Sequence, residues 1–344
     1  MRDRPAGVGE RDLRLALAEG WRIRAAGMRY AAVGGGSYHW AVRDDAGERW
    51  FVTVDDLDGK GWLGDTRPGV LAGLRSAMDT ALALRRDGAL PFVVAPIPGR
   101  GGETVRPLGE RHAAAIFPFV NGVAGVFGET LSARERRVMV DMLAELHRST
   151  PAAAGARVST LGLSRRAALD AALRELGRPW RAGPYAEPAR RLLTIAAARI
   201  RERLAAYDRL AEAAAGCATV ITHGEPHPGN VLRAGSARML MDWDTVGLAP
   251  PERDLWMVVG ENDEESRRYA DLTGRGVDRG LLEFYRLRWA LDDISSFVHQ
   301  LRSAHDRTAD AEHAWLSLKI TVTRLCHDER YRRPVPSPND PAHC

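Results

Sequence analysis

The alternation of apolar and polar residues predicts a small β-sheet in the first third of the chain. Period-two alternation, interrupted by glycine- and aspartate-rich turns, predicts five strands, at residues 28–33, 38–42, 50–54, 103–107 and 111–120. Helical spacing predicts one helix before the first strand and one between the third and fourth, at residues 10–19 and 69–86. We therefore expect a five-stranded sheet with one helix inserted between its strands.

The remainder of the chain has a mostly helical pattern. Helical periodicity, beginning at a capping box of Ser132 and Glu135, predicts helices at residues 132–148, 165–176, 188–214, 279–302 and 309–326. Three short β-type runs lie between them, at residues 218–222, 231–233 and 238–241. A sheet followed by helices is typical of an α+β fold. We expect an N-terminal lobe at residues 1–120, a helical lobe at 121–330 and a disordered, proline-rich tail at 331–344.

Composition excludes several classes of function. The 344 residues carry 49 basic and 45 acidic side chains, a net charge of +4 and no long basic block, so we expect no nucleic-acid partner. No apolar run has membrane-spanning length and no signal segment opens the chain, so we expect a cytoplasmic protein without a membrane partner. The three cysteines lack the C-x-x-C spacing of a metal site.

The stretch ITHGEPHPGN, residues 221–230, combines two histidines, a carboxylate and an amide. His223 and His227 lie four residues apart, which is the spacing of paired zinc ligands on a helix. Pro226 and Pro228 prevent a helix there, and the following Pro-Cys-x-x-Cys of a zinc deaminase is absent. Zinc is therefore disfavoured. The loop by itself still leaves open a polar turn whose histidines cap backbone groups.

A second polar group ends the apolar run Met239-Leu-Met-Asp-Trp-Asp244. A buried strand does not end in carboxylates without a partner for the charge, and a cation is the simplest partner. Asn230 and Asp242 end neighbouring β-type runs, so their oxygens can hold a hard divalent cation whose other ligands are water and phosphate oxygens. Phosphoryl transfer needs such a site, and we expect these two residues to bind Mg²⁺.

The segment His223-Gly-Glu-Pro-His-Pro-Gly-Asn230, followed by Asp242-Trp-Asp244, resembles the catalytic and metal loops of the aminoglycoside phosphotransferase family. The most similar kind is spectinomycin phosphotransferase. Supporting segments are Phe117-Pro-Phe-Val-Asn-Gly122 at the expected hinge and Ala249-Pro-Pro-Glu-Arg-Asp-Leu255 after the metal loop. The resemblance spans roughly residues 20–300 and implies a two-lobed, protein-kinase-like fold that binds ATP or GTP between its lobes.

The resemblance also implies a role for each loop residue. Glu225 would be the base that orients the acceptor hydroxyl, while Asn230 and Asp242 would bind magnesium. His223 and His227 would support the loop, and Asp254 would brace it rather than react. Asp244 would either assist the metal or hydrogen-bond nearby backbone, and we favour the second.

Nucleotide contacts are expected from two segments of the first lobe. The turn formed by Gly34, Gly35, Gly36 and Ser37 lies between two predicted strands, where its backbone N–H groups can cover phosphates. In a kinase-like fold, adenine would lie beneath this turn and bond the backbone near Phe117, Phe119 and Val120. Because the two phenylalanines alternate, one is expected to face the cleft and the other the core.

Two residues depart from the family pattern. Glu225 stands where the family carries aspartate, and its extra methylene moves the carboxylate by about one bond length, ~1.5 Å. Thr53 stands where the family's third strand presents a lysine to the ATP phosphates, and a hydroxyl cannot neutralise charge. The helix at 69–86 also lacks the partner glutamate. Candidate replacements for the cation are Lys60, His39, and an arginine at 43 or 75, with Lys60 first.

The acceptor would bind mainly to the helical lobe. Asp292 and Asp293 are adjacent carboxylates on an otherwise apolar helix, and Tyr285 lies on a similar face of that helix. An amine-bearing ligand suits such a site. The acidic run Glu261-Asn-Asp-Glu-Glu265 is more typical of a solvated face.

The leading hypothesis is a monomeric or homodimeric enzyme that transfers the γ-phosphate to a hydroxyl of a small molecule. The acceptor would be an aminoglycoside-like antibiotic, a nucleoside or a sugar, in resistance or in antibiotic biosynthesis. The alternative is a degenerate kinase-fold protein that binds nucleotide without turnover, which Thr53 and Glu225 favour and the metal ligands oppose. A protein kinase is disfavoured because the helix starting near Pro250 follows Asp242 too soon for an activation segment.

Overall fold

The computed structural model of the chain describes residues 1–260 and 262–327. Glu261 of the acidic run and the tail predicted at 331–344 lie outside the described residues. The strands of the first third are β1 (Ala25–Ala31), β2 (Tyr38–Asp44), β3 (Arg49–Asp56), β4 (Arg106–Leu108) and β5 (His112–Pro118). They form one sheet in the order β1-β2-β3-β5-β4, with every neighbouring pair antiparallel. The predicted five-stranded sheet is confirmed.

The two faces of this sheet pack against different helices. One core cluster joins Leu13 and Leu17 of α1 (Glu10–Trp21) to Val52 and Val54 of β3. The other core cluster joins α2 (Arg67–Arg86) to alternate residues of β5 and to Phe51. Because side chains alternate along a strand, Thr53 and Asp55 share the α2 face with Phe51. This alternation places the unusual threonine on the face expected to meet the nucleotide.

The chain divides into two compact units by its internal contacts. The first unit comprises residues 1–159 and 219–277, and the second comprises residues 160–218 and the described chain from 278 onward. The first unit adds α3 (Ala133–Arg148), α6 (Glu252–Leu255), α7 (Glu264–Thr273) and short strands to the sheet. The second unit contains α4 (Arg166–Arg174), α5 (Ala186–Ala214), α8 (Arg279–Arg302) and α9 (Ala309–His327). The lobe boundary expected at residue 120 stays a prediction.

Short strands position the two loops that carry the expected chemistry. They are β6 (Val123–Ala124), β7 (Val220–Thr222), β8 (Val231–Ala234), β9 (Ala237–Leu240) and β10 (Gly247–Ala249). Strand β7 pairs with β10, whereas β8 pairs with β6 and β9. Residues 223–230 connect β7 to β8, and residues 241–246 connect β9 to β10. The pairings therefore hold the two loops side by side.

Helix α3 begins with the capping box that the sequence predicts, and its apolar residues differ in burial. The Ser132 hydroxyl accepts from the Glu135 N–H at 3.3 Å, and the Glu135 carboxylate accepts from the Ser132 N–H at 3.0 Å. Leu143 is fully buried, whereas Val138 of the same helix is 39% exposed. No helix among the described residues is long and apolar enough to cross a membrane.

The two positions on α3 give a test of this packing. We expect Leu143→Ala to lower the free energy of unfolding by about 2–5 kcal/mol, because it removes buried methyl groups and leaves a cavity. Val138→Ala is the matched control and should change it by no more than about 0.5 kcal/mol. Urea unfolding followed by circular dichroism measures both, and equal losses would contradict the assigned face.

Candidate active site

The backbone of the loop at residues 223–230 is anchored by one buried carboxylate. Asp254 is fully buried and accepts hydrogen bonds from the N–H groups of His223 at 2.8 Å and Gly224 at 2.6 Å. His147 donates to the same carboxylate through Nε2 at 3.1 Å, while its Nδ1 accepts from the Tyr269 hydroxyl at 2.8 Å. Asp254 thus fixes the backbone immediately before Glu225.

Hydrogen bonds keep Asp254 ionised inside the protein. Burial alone would raise its pKa, but the hydrogen bond from His147 and the nearby charges hold the pKa below its usual value. The sequence motifs do not include His147 and Tyr269, because these residues lie in α3 and α7, far from the loop in sequence. The feature of the sequence that could have indicated His147 is its position near the end of an amphipathic helix.

Both ring nitrogens of His223 are used by the loop itself. Nε2 donates to the Met241 carbonyl at 2.9 Å, and Nδ1 accepts from the Glu225 N–H at 3.2 Å. Burial lowers the pKa of His223 to about 4, so the ring is neutral at pH 7. These contacts leave no nitrogen of His223 for zinc.

Burial also lowers the pKa of His227 to about 4, and its ring packs edge-on against Phe127 at 5.1 Å between centroids.

Only glycine fits the backbone of this loop at position 224. Its φ is +99°, which strains any side chain. A Cβ there would also lie 2.4 Å from a guanidinium nitrogen of Arg253. That guanidinium donates to the Thr222 hydroxyl and to the Thr245 carbonyl, both at 2.8 Å, and so ties the start of one loop to the end of the other.

Asn230, one of the two expected metal ligands, links the two loops through two hydrogen bonds. Asn230 Nδ2 donates to the Glu225 carbonyl at 2.9 Å, and the Asn230 carbonyl accepts from the Met241 N–H at 3.0 Å. The first bond fixes the amide so that Oδ1 points away from the loop backbone. Asp242, the residue after Met241, is exposed, and an amide oxygen with a carboxylate is a donor set that magnesium takes with phosphate oxygens and water. The residues therefore fit a magnesium ion.

Asp242 has an unusual backbone and an unusual carboxylate. Its φ is +66°, a conformation that few residues other than glycine adopt and that aspartate tolerates. Surrounding protein and the neighbouring Asp244 raise its pKa to about 7, and Lys60 opposes this shift. A cation would favour the ionised form.

Lys60 lies at the centre of a buried ion cluster. Its side chain is 1% exposed, and Nζ lies 3.1 Å from Asp55 Oδ1 and pairs with the Asp244 carboxylate. The Ser37 hydroxyl donates to the same Asp55 oxygen at 2.6 Å. Burial would lower the pKa of Lys60, but the carboxylates of Asp244, Asp55 and Asp242 raise it far above its usual value. The ammonium is therefore permanently charged.

Thr53 has no cation beside it on the sheet. Its hydroxyl pairs with Nδ1 of His39 at 3.2 Å, and the His39 ring stacks on Phe51 with 5.1 Å between centroids. Burial lowers the pKa of His39 to about 3, so this imidazole is neutral at physiological pH. His39 thus fails as a replacement for the missing lysine.

The expected adenine-binding segment leaves β5 at its end. Phe117 is 9% exposed within the core under α2, whereas Phe119 lies under the Arg49 guanidinium, 3.7 Å from its ring centroid. The Phe119 N–H already donates to the Arg49 carbonyl at 3.3 Å. Val120 follows outside the strand ladder.

The residues expected to bind the acceptor lie in the second unit. Asp292 accepts from the N–H and hydroxyl of Ser164 at 2.9 and 3.0 Å and lies 3.9 Å from Arg288. Burial and the neighbouring Asp292 raise the pKa of Asp293 to about 7. Tyr285 is 3% exposed and packs edge-on against a phenylalanine.

The acidic run behaves differently from a solvated face. Glu265 is 4% exposed and accepts from Arg136 Nε at 2.5 Å. It also accepts from the Gly260 N–H at 3.2 Å. Glu264 is exposed and pairs with Arg137 at 3.0 Å. The expectation is wrong for Glu265, because α7 turns this residue toward α3.

Comparisons with known proteins agree with this geometry. The profile described as the phosphotransferase enzyme family matches residues 29–291. Protein StrN of Streptomyces griseus is 28% identical over 302 residues, which are 81% of this chain and 82% of StrN. Because the profile covers more than half of the chain, the chain belongs to the phosphotransferase enzyme family. The family and the enzyme class predicted from the two loops are confirmed.

Solved structures share the fold. Spectinomycin phosphotransferase in complex with ADP and spectinomycin has a TM-score of 0.71 at 16% identity, over 93% of this chain and 98% of that one. Amicoumacin kinase in complex with AMP-PNP has a TM-score of 0.58 at 10% identity, over 95% of each chain. The predicted kinase-like α+β fold is thus confirmed.

Asp254 provides a test of the loop anchor. We expect Asp254→Asn to lower the free energy of unfolding by at least about 1.5–3 kcal/mol, the contribution of one hydrogen bond to a charged group, because the new NH₂ group faces a backbone donor. Asp141→Asn is the matched control: its carboxylate is 42% exposed and pairs with Arg268 on the surface, so it should cost no more than about 1 kcal/mol. Thermal and urea unfolding measure both. Equal losses in the two variants would show that Asp254 does not anchor the loop.

Proposed function

We propose that this phosphotransferase transfers the γ-phosphate of ATP, or of GTP, to a hydroxyl group of a small, amine-bearing molecule, such as an aminoglycoside or aminocyclitol antibiotic. The observation that carries the proposal is that Asn230 hydrogen-bonds both to Glu225 and to Met241, the residue before Asp242, and so links the two loops. Their backbones are held before any ligand arrives, so little reorganisation is needed for the chemical step.

In this proposal Glu225 accepts a hydrogen bond from the acceptor hydroxyl and takes its proton as the oxygen attacks the γ-phosphorus. The bond between the γ-phosphorus and the bridging β,γ-oxygen then breaks, and the nucleoside diphosphate leaves. The Asp254 anchor precedes Glu225, and the Asn230 amide holds its carbonyl, so the carboxylate projects from a fixed backbone. Orientation of the attacking oxygen is the main task of such a residue in phosphoryl transfer.

The metal ligands would be Asn230, through Oδ1, and Asp242, through its carboxylate. A magnesium ion held there would supply positive charge to the phosphate oxygens of the nucleotide. The left-handed backbone of Asp242, which aspartate adopts more readily than most residues, sets the direction in which its carboxylate leaves the loop.

The nucleotide would lie along the α2 face of the sheet. The glycine turn at residues 34–36 and Ser37 would cover the phosphates with backbone N–H groups. Adenine would bond the backbone of Val120, since the Phe119 N–H is committed to Arg49 and Phe117 is part of the core. The fold shared with nucleotide-bound kinases supports this placement.

A panel assay tests the proposal. The protein is incubated with Mg²⁺ and either ATP or GTP, and with spectinomycin, other hydroxylated amine antibiotics, nucleosides or sugars. Mass spectrometry then detects the addition of one phosphoryl group. Transfer to an amine-bearing alcohol is expected. Mg²⁺-dependent binding of nucleotide without transfer to any acceptor would instead support the non-catalytic alternative.

The length of the Glu225 side chain is itself testable. If the loop is adapted to the longer residue, Glu225→Asp should lower kcat by on the order of 10²-fold, because the carboxylate moves back by about one bond length. KM for ATP should change little, since the phosphates do not touch this residue. Steady-state kinetics with the acceptor found in the panel measures both values, and an increase in kcat would overturn the adapted-loop hypothesis.

Asp293 is the proposed partner of the acceptor amine. Asp292 already accepts two hydrogen bonds from Ser164 and lies near Arg288, whereas Asp293 is raised in pKa by burial and by Asp292. An ammonium group would supply the charge that favours ionisation of Asp293. Tyr285 contributes packing to the same helix in this proposal.

The pKa of Asp293 predicts how acceptor binding depends on pH. The carboxyl is ionised above about pH 7, so KM for an amine-bearing acceptor should fall as pH rises from 6 to 8, while the amine stays protonated. Asp293→Asn should raise this KM by about tenfold or more and remove the pH dependence. Asp292→Asn is the matched control: the pH dependence should persist but move to lower pH, because this variant removes a charge that raises the pKa of Asp293. An unchanged pH profile in Asp293→Asn would refute the assignment.

A further inference from the structure

The family position for a phosphate-binding lysine is filled by a neutral pair. Thr53 and His39 face each other across β2 and β3, and their side chains hydrogen-bond at 3.2 Å. Neither side chain carries charge at neutral pH. The nucleotide phosphates proposed above would therefore meet no cation from the sheet itself.

Two ammonium groups lie close to that position. The one at the N-terminus of Met1 donates to the carbonyls of Val33, Gly34 and Ser37 at 3.1, 3.1 and 2.8 Å, which take up its three N–H donors; the other is the side chain of Lys60.

Asp55 is two residues beyond Thr53 on the same face of β3, about 7 Å along the strand. Lys60 follows β3 in a short turn and reaches back, so that Nζ lies 3.1 Å from Asp55. A Cβ built at Gly36 would lie 3.8 Å from the same Nζ, so the ammonium is directly beside the glycine turn.

The same ammonium also reaches the metal loop. Nζ pairs with the carboxylate of Asp244, two residues after the proposed magnesium ligand Asp242. Lys60 thereby joins three segments that surround nucleotide phosphates in the proposed site: the glycine turn through Ser37 and Asp55, strand β3, and the loop that carries Asp242.

We infer that Lys60 supplies the cation that contacts the nucleotide phosphates, in place of a lysine on β3. The inference rests on the proposed function, because it presumes a nucleotide in this site. An ammonium has three N–H donors, and two of them face Asp55 and Asp244. The third can donate to a phosphate oxygen. The two carboxylates then act as the glutamate of a kinase lysine–glutamate pair does: they hold the ammonium in place.

The other basic candidates are held elsewhere. Arg75 donates to the Val105 carbonyl at 3.2 Å, and its helix neighbour Asp79 accepts from the Thr104 hydroxyl at 2.6 Å, so this part of α2 is turned to the β4 side. Arg43 is exposed at the far end of β2, next to the turn into β3. Of these basic side chains, Lys60 is the one whose charged group lies beside the glycine turn.

The glycine turn explains how a buried ammonium is reached. Lys60 is 1% exposed, and residues 34–36 lie over it while being exposed themselves. The ammonium of Met1 donates to the carbonyls of Val33, Gly34 and Ser37, so the turn opens by breaking these hydrogen bonds. Three consecutive glycines without side chains allow the backbone rearrangement that this requires. Asp55 and Asp244 prevent Lys60 from following the turn outward.

A ladder of ligands tests the assignment. Affinities for adenosine, AMP, ADP and ATP, with Mg²⁺, are measured by calorimetry for the wild type and for Lys60→Met. We expect adenosine affinity to change less than about twofold and ADP and ATP affinity to fall by about tenfold or more. The matched control is Lys319→Met, which removes the only other lysine, and it should leave all four affinities unchanged.

Two further variants protect the test against misfolding. Lys60→Met leaves two buried carboxylates without their cation, so the double variant Lys60→Met/Asp55→Asn restores the charge balance and is measured in the same way. The double variant Thr53→Lys/Lys60→Met returns the lysine to β3 and should recover ADP affinity by about tenfold. A merely structural ion pair would not be rescued in this way.

The outcomes separate the two proposals. If the wild type binds none of the four ligands, the proposed function fails and takes the Lys60 assignment with it. A second outcome is that the wild type binds ADP and ATP, while Lys60→Met and the double variant Lys60→Met/Asp55→Asn show the same ratio of ADP affinity to adenosine affinity as the wild type. In that case only the Lys60 assignment is overturned. Selective loss of ADP and ATP supports both.

Discussion

Asp254 is fully buried, and its carboxylate accepts hydrogen bonds from the backbone of His223 and Gly224 and from the ring of His147. A buried carboxylate is stable only when donors surround it, so this anion and the loop backbone order each other. Everything that follows in the loop depends on this arrangement. The carbonyl of Glu225 is set by it and by Asn230, and Asn230 in turn contacts the strand that leads to Asp242.

A second buried charge holds the other half of the site. The Asp254 carboxylate is surrounded by hydrogen-bond donors, whereas the Lys60 ammonium is paired with carboxylates from β3 and from the metal loop. With Asp242, three carboxylates surround one ammonium, and the excess negative charge suits a divalent ion. Removal of either buried charge would leave its partners uncompensated, which is far more costly than the loss of a surface ion pair. The two centres therefore restrict how far the loops can move relative to the sheet.

The local pattern of apolar and polar residues predicts much of the secondary structure of this protein. The five strands follow from period-two alternation, and α8 begins and ends at the predicted residues because Asp278 caps it and apolar residues repeat along it. The catalytic and metal loops were recognisable because their residues are contiguous. The sequence does not indicate His147 and Tyr269 as parts of the site, because His147 meets both Tyr269 and Asp254 across more than a hundred residues. Lys60 was only one of several candidates, because its contact with Asp244 also depends on distant packing. Glu265 was misjudged for the same reason, since its partner Arg136 belongs to a distant helix.

The two departures from the family pattern, Glu225 and Thr53, have a common physical consequence. Each changes the position of a charged group by a bond length or more while the backbone that carries it stays ordered: β3 remains paired on both sides at Thr53, and the loop remains anchored at Gly224. In the proposed site the carboxylate of Glu225 extends further toward the phosphates, and the ammonium of Lys60 approaches them from beside the glycine turn. A site that keeps its metal ligands and its anchor, and supplies its cation from a new direction, retains the electrostatic requirements of phosphoryl transfer. This is why the altered residues argue for a rearranged phosphate site rather than for a lost one.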